Sequence, residues 1–273
     1  MATEPSTTDY YGAHYRRFAE RLYAEIRAEA FGEDIGQNSW LTAEEQDLFL
    51  SWLGLTPDHV LLDVACGSGG PSLRAAQRTG CSVHGIDVEE AAIREARARA
   101  SASGQAQRVR FEQVDAAKPL PFDGGCFDVV WCVDAIIHFP HRDETLGDWA
   151  RILRPGGSLM FTDSLVVTGP LTNEEVALRS LAGLCLFAPA QTNERLLDRL
   201  GFALEATADR TENMAQVAER RYRAREARAE QLRRIEGEDG FLKQQRFLQV
   251  AARLAAERRL SRLAFHARRV DRG

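Results

Sequence analysis

Apolar positions change rhythm several times along the chain. Over residues 13–30, Phe18, Leu22 and Ile26 recur every four positions, which predicts a helix with one face turned to a core or a ligand pocket. The stretch FGEDIGQNSW then brings two glycines and polar turn formers before Thr42 opens another helix. Thr42 and Glu45 have capping-box spacing, and Leu48, Phe49, Trp52 and Leu53 supply the apolar side. From residue 60 short apolar runs alternate with helical ones. VLLDVAC reads as a buried strand, GSGGPS as a turn and SLRAAQR as a helix start, followed by the strand SVHGIDV and the helix EEAAIREARARA. VRFEQVD, FDVVWCVDAI and SLMFTDSL are further strands. Such alternation predicts an open, mainly parallel α/β sheet with helices on both faces and its chemistry outside the carboxyl ends of the strands.

After residue 165 the pattern becomes a helical excursion, TNEEVALRSLAGLCLF, whose Leu181, Leu184, Leu186 and Phe187 form an apolar stripe serving either a core or an acceptor pocket. TNERLLDRLGF and a strand, FALEATA, come next. Two long helices are expected over residues 211–234 and 241–258, separated around Gly237 and Gly240, and SRLAFHARRV returns as a final strand suited to an antiparallel place. The expected division is an N-terminal helical cap over 1–42, a ligand-binding core over 43–165, and a lid with the remaining core strands and a C-terminal helical excursion over 166–273.

Charge narrows the partners. The 273 residues carry 35 Lys and Arg against 40 Asp and Glu, a formal net charge of −5 with the signs intermixed, which argues against nucleic acid and for a small-molecule partner. Arg220, Arg221, Arg223, Arg225 and Arg228 are interrupted by Glu219, Glu226 and Glu230, the pattern of a solvated face or of a homo-oligomer contact. No apolar run reaches membrane-spanning length, and Asp9, Glu20 and Glu25 interrupt the first thirty residues, so a cytoplasmic protein without membrane contact is expected. Five scattered cysteines lack paired metal-ligand spacing and fit free thiols in a reducing compartment.

The strongest chemical signal is VLLDVACGSGG at 60–70. Asp63 precedes a turn in which Gly67 and Gly69 let backbone approach a ligand, and Asp87 ends the next strand, where a carboxylate can accept hydrogen bonds from a ribose diol. A dinucleotide site wants a third glycine where this chain has Ser72, and Pro71 enters the helix start, so the pattern departs from a pyrophosphate turn.

LLDVACGSGG, the acidic Asp87, Asp115 in FEQVDAAKPLPF, the strand FDVVWCVDAIIHF and the turn in RILRPGGSLMFTD together resemble, in order, the class I S-adenosylmethionine-dependent methyltransferases. The resemblance implies a Rossmann-like sheet and S-adenosyl-L-methionine as cofactor. It places Asp63, Gly67 and Gly69 near the methionine portion, Asp87 and Val88 at the ribose, Asp115 and Ala116 at the adenine, and Cys132 and Tyr15 among the cofactor contacts. Tyr10, Tyr11 and Tyr15 form an aromatic N-terminal segment, and with Gln37, Asn38, Ser39 and Trp40 they either cover the mouth of the site or pack a helix.

His138 follows CVDAII at the substrate end of a strand, and Asp163 ends the next one. This pair resembles that of sugar O-methyltransferases, with Asp163 orienting His138 as base toward an acceptor hydroxyl; the alternative is that both residues serve loops. His141, beyond Pro140, is read as a surface or helix-entry residue, and the two histidines lack zinc-site spacing. Tyr11, Trp40, Asp134, His138, Leu184 and Phe187 are the expected acceptor contacts, with no metal. The function expected is methyl transfer to a hydroxyl oxygen of a small molecule, a secondary metabolite. Transfer to the nitrogen of a small amine, transfer to carbon, or a nonmethylating auxiliary role are the alternatives.

Overall fold

The structure is a computed structural model that describes residues 7–181 and 183–270, with the side chains of residues 7–10 outside the description. The sheet follows β1 (Val60–Val64), β2 (Ser82–Asp87), β3 (Val109–Gln113), β4 (Phe127–Cys132), β5 (Leu153–Val167), β6 (Ala188–Pro189), β7 (Phe202–Asp209) and β8 (Leu260–Arg269). Their order is β3-β2-β1-β4-β5-β8-β7, with β6 beside the end of β5. The first five strands pair in parallel, while β8 runs antiparallel between β5 and β7. This is the Rossmann-like α/β sheet that the alternating pattern predicts.

Strand alternation sorts the core into two layers. Leu62, Val64, Val130 and Cys132 enter one cluster, which continues through Trp149, Phe161 and Phe265. Their neighbours Leu61, Val129 and Trp131 enter the other, with Phe49, Leu73, Ile93 and Phe111. The helices covering the two faces include α3 (Ala43–Leu53), α4 (Gly70–Thr79), α5 (Glu90–Ala102) and α6 (Arg142–Ile152). Thr42 caps α3 by accepting from the Glu45 backbone N–H at 3.3 Å. The Glu45 side chain does not complete the box. It is fully buried and turns to Arg262 on β8 at 2.6 Å and to Arg210 at 2.7 Å.

Three helical segments differ from the sequence reading. The run over 13–30 is two helices, α1 (Thr7–Arg16) and α2 (Arg21–Phe31), with turns at residues 17–19 between them. The excursion after β5 is helical only in α7 (Asn173–Arg179), which starts in a full capping box of Thr172 and Glu175. It ends before Gly183, whose φ of 106° is incompatible with a right-handed helix, so the stripe Leu181, Leu184, Leu186 and Phe187 is not helical. After α8 (Thr192–Arg199), the long C-terminal helices are α9 (Thr211–Glu226) and α10 (Ala229–Ala256), and α10 is broken at Gly237 with φ 77°.

The N-terminal helices are packed on the C-terminal ones. Tyr23 and Ile26 of α2 share a cluster with Ala224, Leu232 and Phe241, and Ala30, Phe31 and Trp40 share another with Met214, Val217 and Leu248. The arginine run on α9 is correspondingly not one solvated face. Arg220 and Arg223 are exposed, but Arg225 is buried, with Glu236 at 2.6 Å and Gln245 at 3.2 Å.

Candidate active site

Beyond β1 the backbone turns through Ala65, Gly67 and Gly69 with φ of 58°, 56° and 74°, and Gly69 becomes the N-cap of α4. The Gly67 N–H donates to Asp87 Oδ2 at 2.9 Å, and the Glu89 N–H donates to Asp87 Oδ1 at 2.9 Å. The acid at the end of β2 therefore organises both the glycine turn and the start of α5. A Cβ at Gly67 would run into the Tyr15 hydroxyl, so this glycine admits the aromatic cover as well as the positive φ. Asp63 lies under the turn, accepting from the Ser72 hydroxyl, and burial pushes its carboxyl up to about 7.

These residues wall a cavity of about 350 Å³ at the carboxyl ends of β1, β2 and β4. Tyr11, Tyr15, Asp63, Gly67, Asp87, Val88, Asp115, Ala116, Asp134 and His138 all line it, together with Gln37, Asn38 and Ser39. Asp115 accepts from the Ala117 N–H at 3.1 Å and pairs with Lys118 at 3.0 Å. The Tyr10 side chain lies outside the described residues.

Six residues expected in the site are not on this wall, Asp163 among them. Gly69 faces the other way, and its missing side chain makes room for Phe111 and Ala96. Cys132 is fully buried in the opposite core layer, because alternation along β4 sends Trp131 and Val133 to the cavity instead. Leu184 is half exposed, with its carbonyl against the His138 ring; Phe187 packs partly buried on the main core. Trp40 lines a second, smaller space described below.

His138 closes a 3-10 turn, Ile136–His138, after β4. Its Nδ1 lies 2.8 Å from the Leu184 carbonyl and its Nε2 lies 3.0 Å from the Tyr11 hydroxyl. A carbonyl only accepts, so Nδ1 carries the proton and Nε2 presents a lone pair to the phenol. The backbone sets this up: Leu186 N–H donates to the Ile137 carbonyl at 2.8 Å, holding the 184–187 strand of loop against the turn. Burial, with Arg179 adding to it, lowers the His138 pKa below its usual value, so the ring is neutral at pH 7.

Asp163 does not join His138. It is fully buried on β5 and accepts from Arg142 at 2.6 Å, from Asn193 at 2.9 Å and from the Leu165 N–H at 3.0 Å. Its position next to a strand end suggested an orienting acid, but α6 and α8 supply the partners and the Leu184 carbonyl orients the imidazole. Asp134 does reach the cavity, in a left-handed conformation with φ 57°. Its oxygens accept from Trp40 N–H at 2.9 Å, Thr162 at 2.8 Å and Arg262 at 2.7 Å, so it fastens the N-terminal loop to β5 and β8.

A second cavity of about 80 Å³ opens from the same rim, sharing Tyr11, Asn38, Ser39, Asp134 and His138. Its far wall comes from Trp40, Ser164, Arg179, Cys185, Arg221, Gln244 and Phe247. Apart from Trp40, neither this wall nor the cavity residues Cys66, Ser68, Glu89 and Trp131 were evident in the sequence. For Trp131 the period-2 alternation of β4 was a usable signal; for the second cavity none exists, because β5, α7 and α9 contribute one residue each and α10 two. Among the described residues no group of three or more His, Cys, Asp or Glu side chains is placed to hold a metal ion, and no helix is long and apolar enough to cross a membrane.

Residues 61–157 match the family model of a methyltransferase domain. The chain is 37% identical over 144 residues, 53% of its length, to methyltransferase GfsG of Streptomyces halstedii, and 34% identical over 166 residues, 58% of its length, to a 27-O-demethylrifamycin SV methyltransferase of Amycolatopsis mediterranei. It spans 50% and 61% of the length of these two relatives. Other relatives are named for transfer to nitrogen and to carbon. The structure of a putative sarcosine dimethylglycine methyltransferase from Galdieria sulphuraria superposes with a TM-score of 0.81 at 16% identity, covering 97% of this chain and 100% of that one. Residues 61–157 thus match a methyltransferase domain, the sheet with its cavity at the strand ends has the fold of class I methyltransferases, and the chain is similar in sequence to methyltransferases of small molecules.

Proposed function

We propose that the larger cavity holds S-adenosylmethionine and that the chain transfers its methyl group to a hydroxyl oxygen of a small molecule, with His138 as general base. The residues present fit the cofactor. Each Asp87 oxygen takes one backbone N–H and retains a lone pair for a ribose hydroxyl, Gly67 keeps the turn open, and Asp115 with Ala116 stands where an adenine edge would rest. When bound, the cofactor supplies an electrophilic methyl group on a cationic sulfonium. Tyr15 and residues 37–39 line the same cavity and would limit water around the bound group.

The observation that carries the oxygen-directed reading is the tautomer of His138. Leu184 fixes the proton on Nδ1, and Nε2 already accepts from a hydroxyl, that of Tyr11, on the rim common to both cavities. An acceptor hydroxyl in the place of the phenol gives its proton to Nε2 as the methyl group arrives, and the Leu184 carbonyl stabilises the resulting imidazolium.

The test is S-adenosylhomocysteine formation across a panel of hydroxylated small molecules and their amine analogues, with a methyl-13C donor and NMR of the product. A labelled O-methyl group, and loss of turnover in His138→Gln with homocysteine-cofactor binding retained, is expected. A labelled N-methyl or C-methyl product overturns the hydroxyl assignment; no transfer despite tight cofactor binding favours the auxiliary role.

A further inference from the structure

We propose that the smaller cavity is an acceptor subsite for an uncharged hydroxyl group, held by Ser164 Oγ and His14 Nε2, so that the acceptor is a neutral compound carrying a second hydroxyl besides the one methylated; this rests on the methyltransferase reading and specifies its substrate class. Three observations point to it. The first is a break in the sheet. Between the pairs Asp163–Leu263 and Val166–Ser261, β5 sets two residues, Ser164 and Leu165, against the single Arg262 of β8. A bulge of this kind re-aims the side chains it carries. Leu165 enters the main core, whereas Ser164 goes to the wall of the smaller cavity.

The second is polar capacity without a hydrogen-bond partner. Ser164 is 1% exposed, and its Oγ has no hydrogen-bond partner among the described residues; the same holds for the buried Nε2 of His14 on the same wall. A buried polar atom in this state costs free energy that a ligand removes. The charged groups around the cavity are already engaged. Asp134 accepts from the Trp40 N–H, Thr162 and Arg262. The Arg179 guanidinium lies 4.6 Å from the Phe247 ring centroid and that of Arg221 5.6 Å from Trp40, and both side chains have further interactions, so the subsite draws on neither.

The third is the kind of group these two atoms take. Burial, with Arg221, Arg27 and Arg225 adding to it, pushes His14 down to about 3, so its ring is neutral at pH 7. The serine hydroxyl both donates and accepts, and Nε2 of a neutral imidazole does one or the other according to its tautomer. A ligand hydroxyl does both and so meets either tautomer. A carboxylate only accepts and an ammonium only donates, and each would lose its hydration against these uncharged partners. The subsite and the cofactor cavity share Tyr11 and His138, so an acceptor anchored by one hydroxyl presents another at Nε2 of His138.

The test is calorimetric binding to the full chain saturated with S-adenosylhomocysteine. The probes share a phenol and differ at the end of a two-carbon arm: 4-(2-hydroxyethyl)phenol, 4-ethylphenol, 4-hydroxyphenylacetate and 4-(2-aminoethyl)phenol. The hydroxyethyl compound is expected to bind roughly tenfold more tightly than 4-ethylphenol, the gain of about two net hydrogen bonds, and more tightly than either charged probe. Ser164→Ala and His14→Phe should each cut that gain several-fold, while 4-ethylphenol binds the parent and both variants alike. Phenylalanine keeps a ring against Tyr15, Phe18 and Tyr23, and Ser164→Ala removes a single oxygen, so it remains informative if His14→Phe does not fold. Equal binding of the hydroxyethyl and ethyl compounds would leave the cavity a place for water and overturns the subsite. So does a charged probe binding best, no binding of any probe, or an undiminished gain in Ser164→Ala. Failure of the wild-type chain to bind S-adenosylhomocysteine overturns the cofactor reading separately.

Discussion

The Tyr11 hydroxyl and His138 Nε2, 127 positions apart in the chain, meet at 3.0 Å with the rings edge to face. The phenol occupies the lone pair that a base must offer, which makes the two residues separable by mutation. His138→Gln is expected to lower turnover by 100-fold or more, within the range general bases supply. Tyr11→Phe leaves Nε2 open and should cost tenfold or less. Initial rates of S-adenosylhomocysteine release for both variants check this, and equal losses would place the two residues in a merely structural pair.

The acid limb of the rate profile follows from the His138 environment. Burial and Arg179 favour the neutral ring, so its pKa is lowered and the base form persists below pH 6.5. The free-enzyme profile of kcat/KM should rise with pH and level off before neutrality. In Arg179→Gln the inflection moves to higher pH; an unmoved inflection in that variant would show that the titrating group is elsewhere.

Asp63 imposes an opposite dependence on stability. Its folded pKa is raised by burial to about 7 from the ordinary 3.8, so the fold favours the protonated form. The resulting cost is absent below about pH 4, grows as pH rises toward 7 and is complete above it, at most about 4 kcal/mol. Asp63→Asn should gain stability over the parent at pH 8 and lose that gain near pH 4, as read by thermal melts without cofactor.

Arg262 is held by Glu45 at 2.6 Å and Asp134 at 2.7 Å with its side chain fully buried. Arg262→Met leaves two buried carboxylates short of a partner, a loss of about 3–5 kcal/mol. The melting temperature should fall by roughly 10 °C. Adding Glu45→Gln should recover part of it, since the double variant buries one charge fewer; a strictly additive result would mean the pair is not coupled.

What the sequence revealed follows the range of the interactions involved. The first five strands, the glycine turn and the acids Asp63, Asp87 and Asp115 lie within βα units whose periodicity is local, and each went to the sheet or its cavity as read. His138 was legible for the same reason. Its orienting partner was not, because a backbone carbonyl carries no signature; Asp163 has one, yet it answers to Arg142 and Asn193. Cys132 shows the sensitivity of strand phase, where one residue decides between core and cavity. The second cavity draws one or two residues from each of four elements after β4, and its two arginines lie on different helices.

The clasp of Glu45, Asp134 and Arg262 also sets an order of events. Asp134 sits at the mouth shared by both cavities, and the arginine that compensates it arrives with β8, after every other strand of the sheet. A chain emerging from the ribosome can thread its glycine turn and pair its parallel strands early, while the rim around Tyr11, Trp40 and His138 stays unset until that last strand docks. Order at that rim is then a property gained only when β8 joins the sheet.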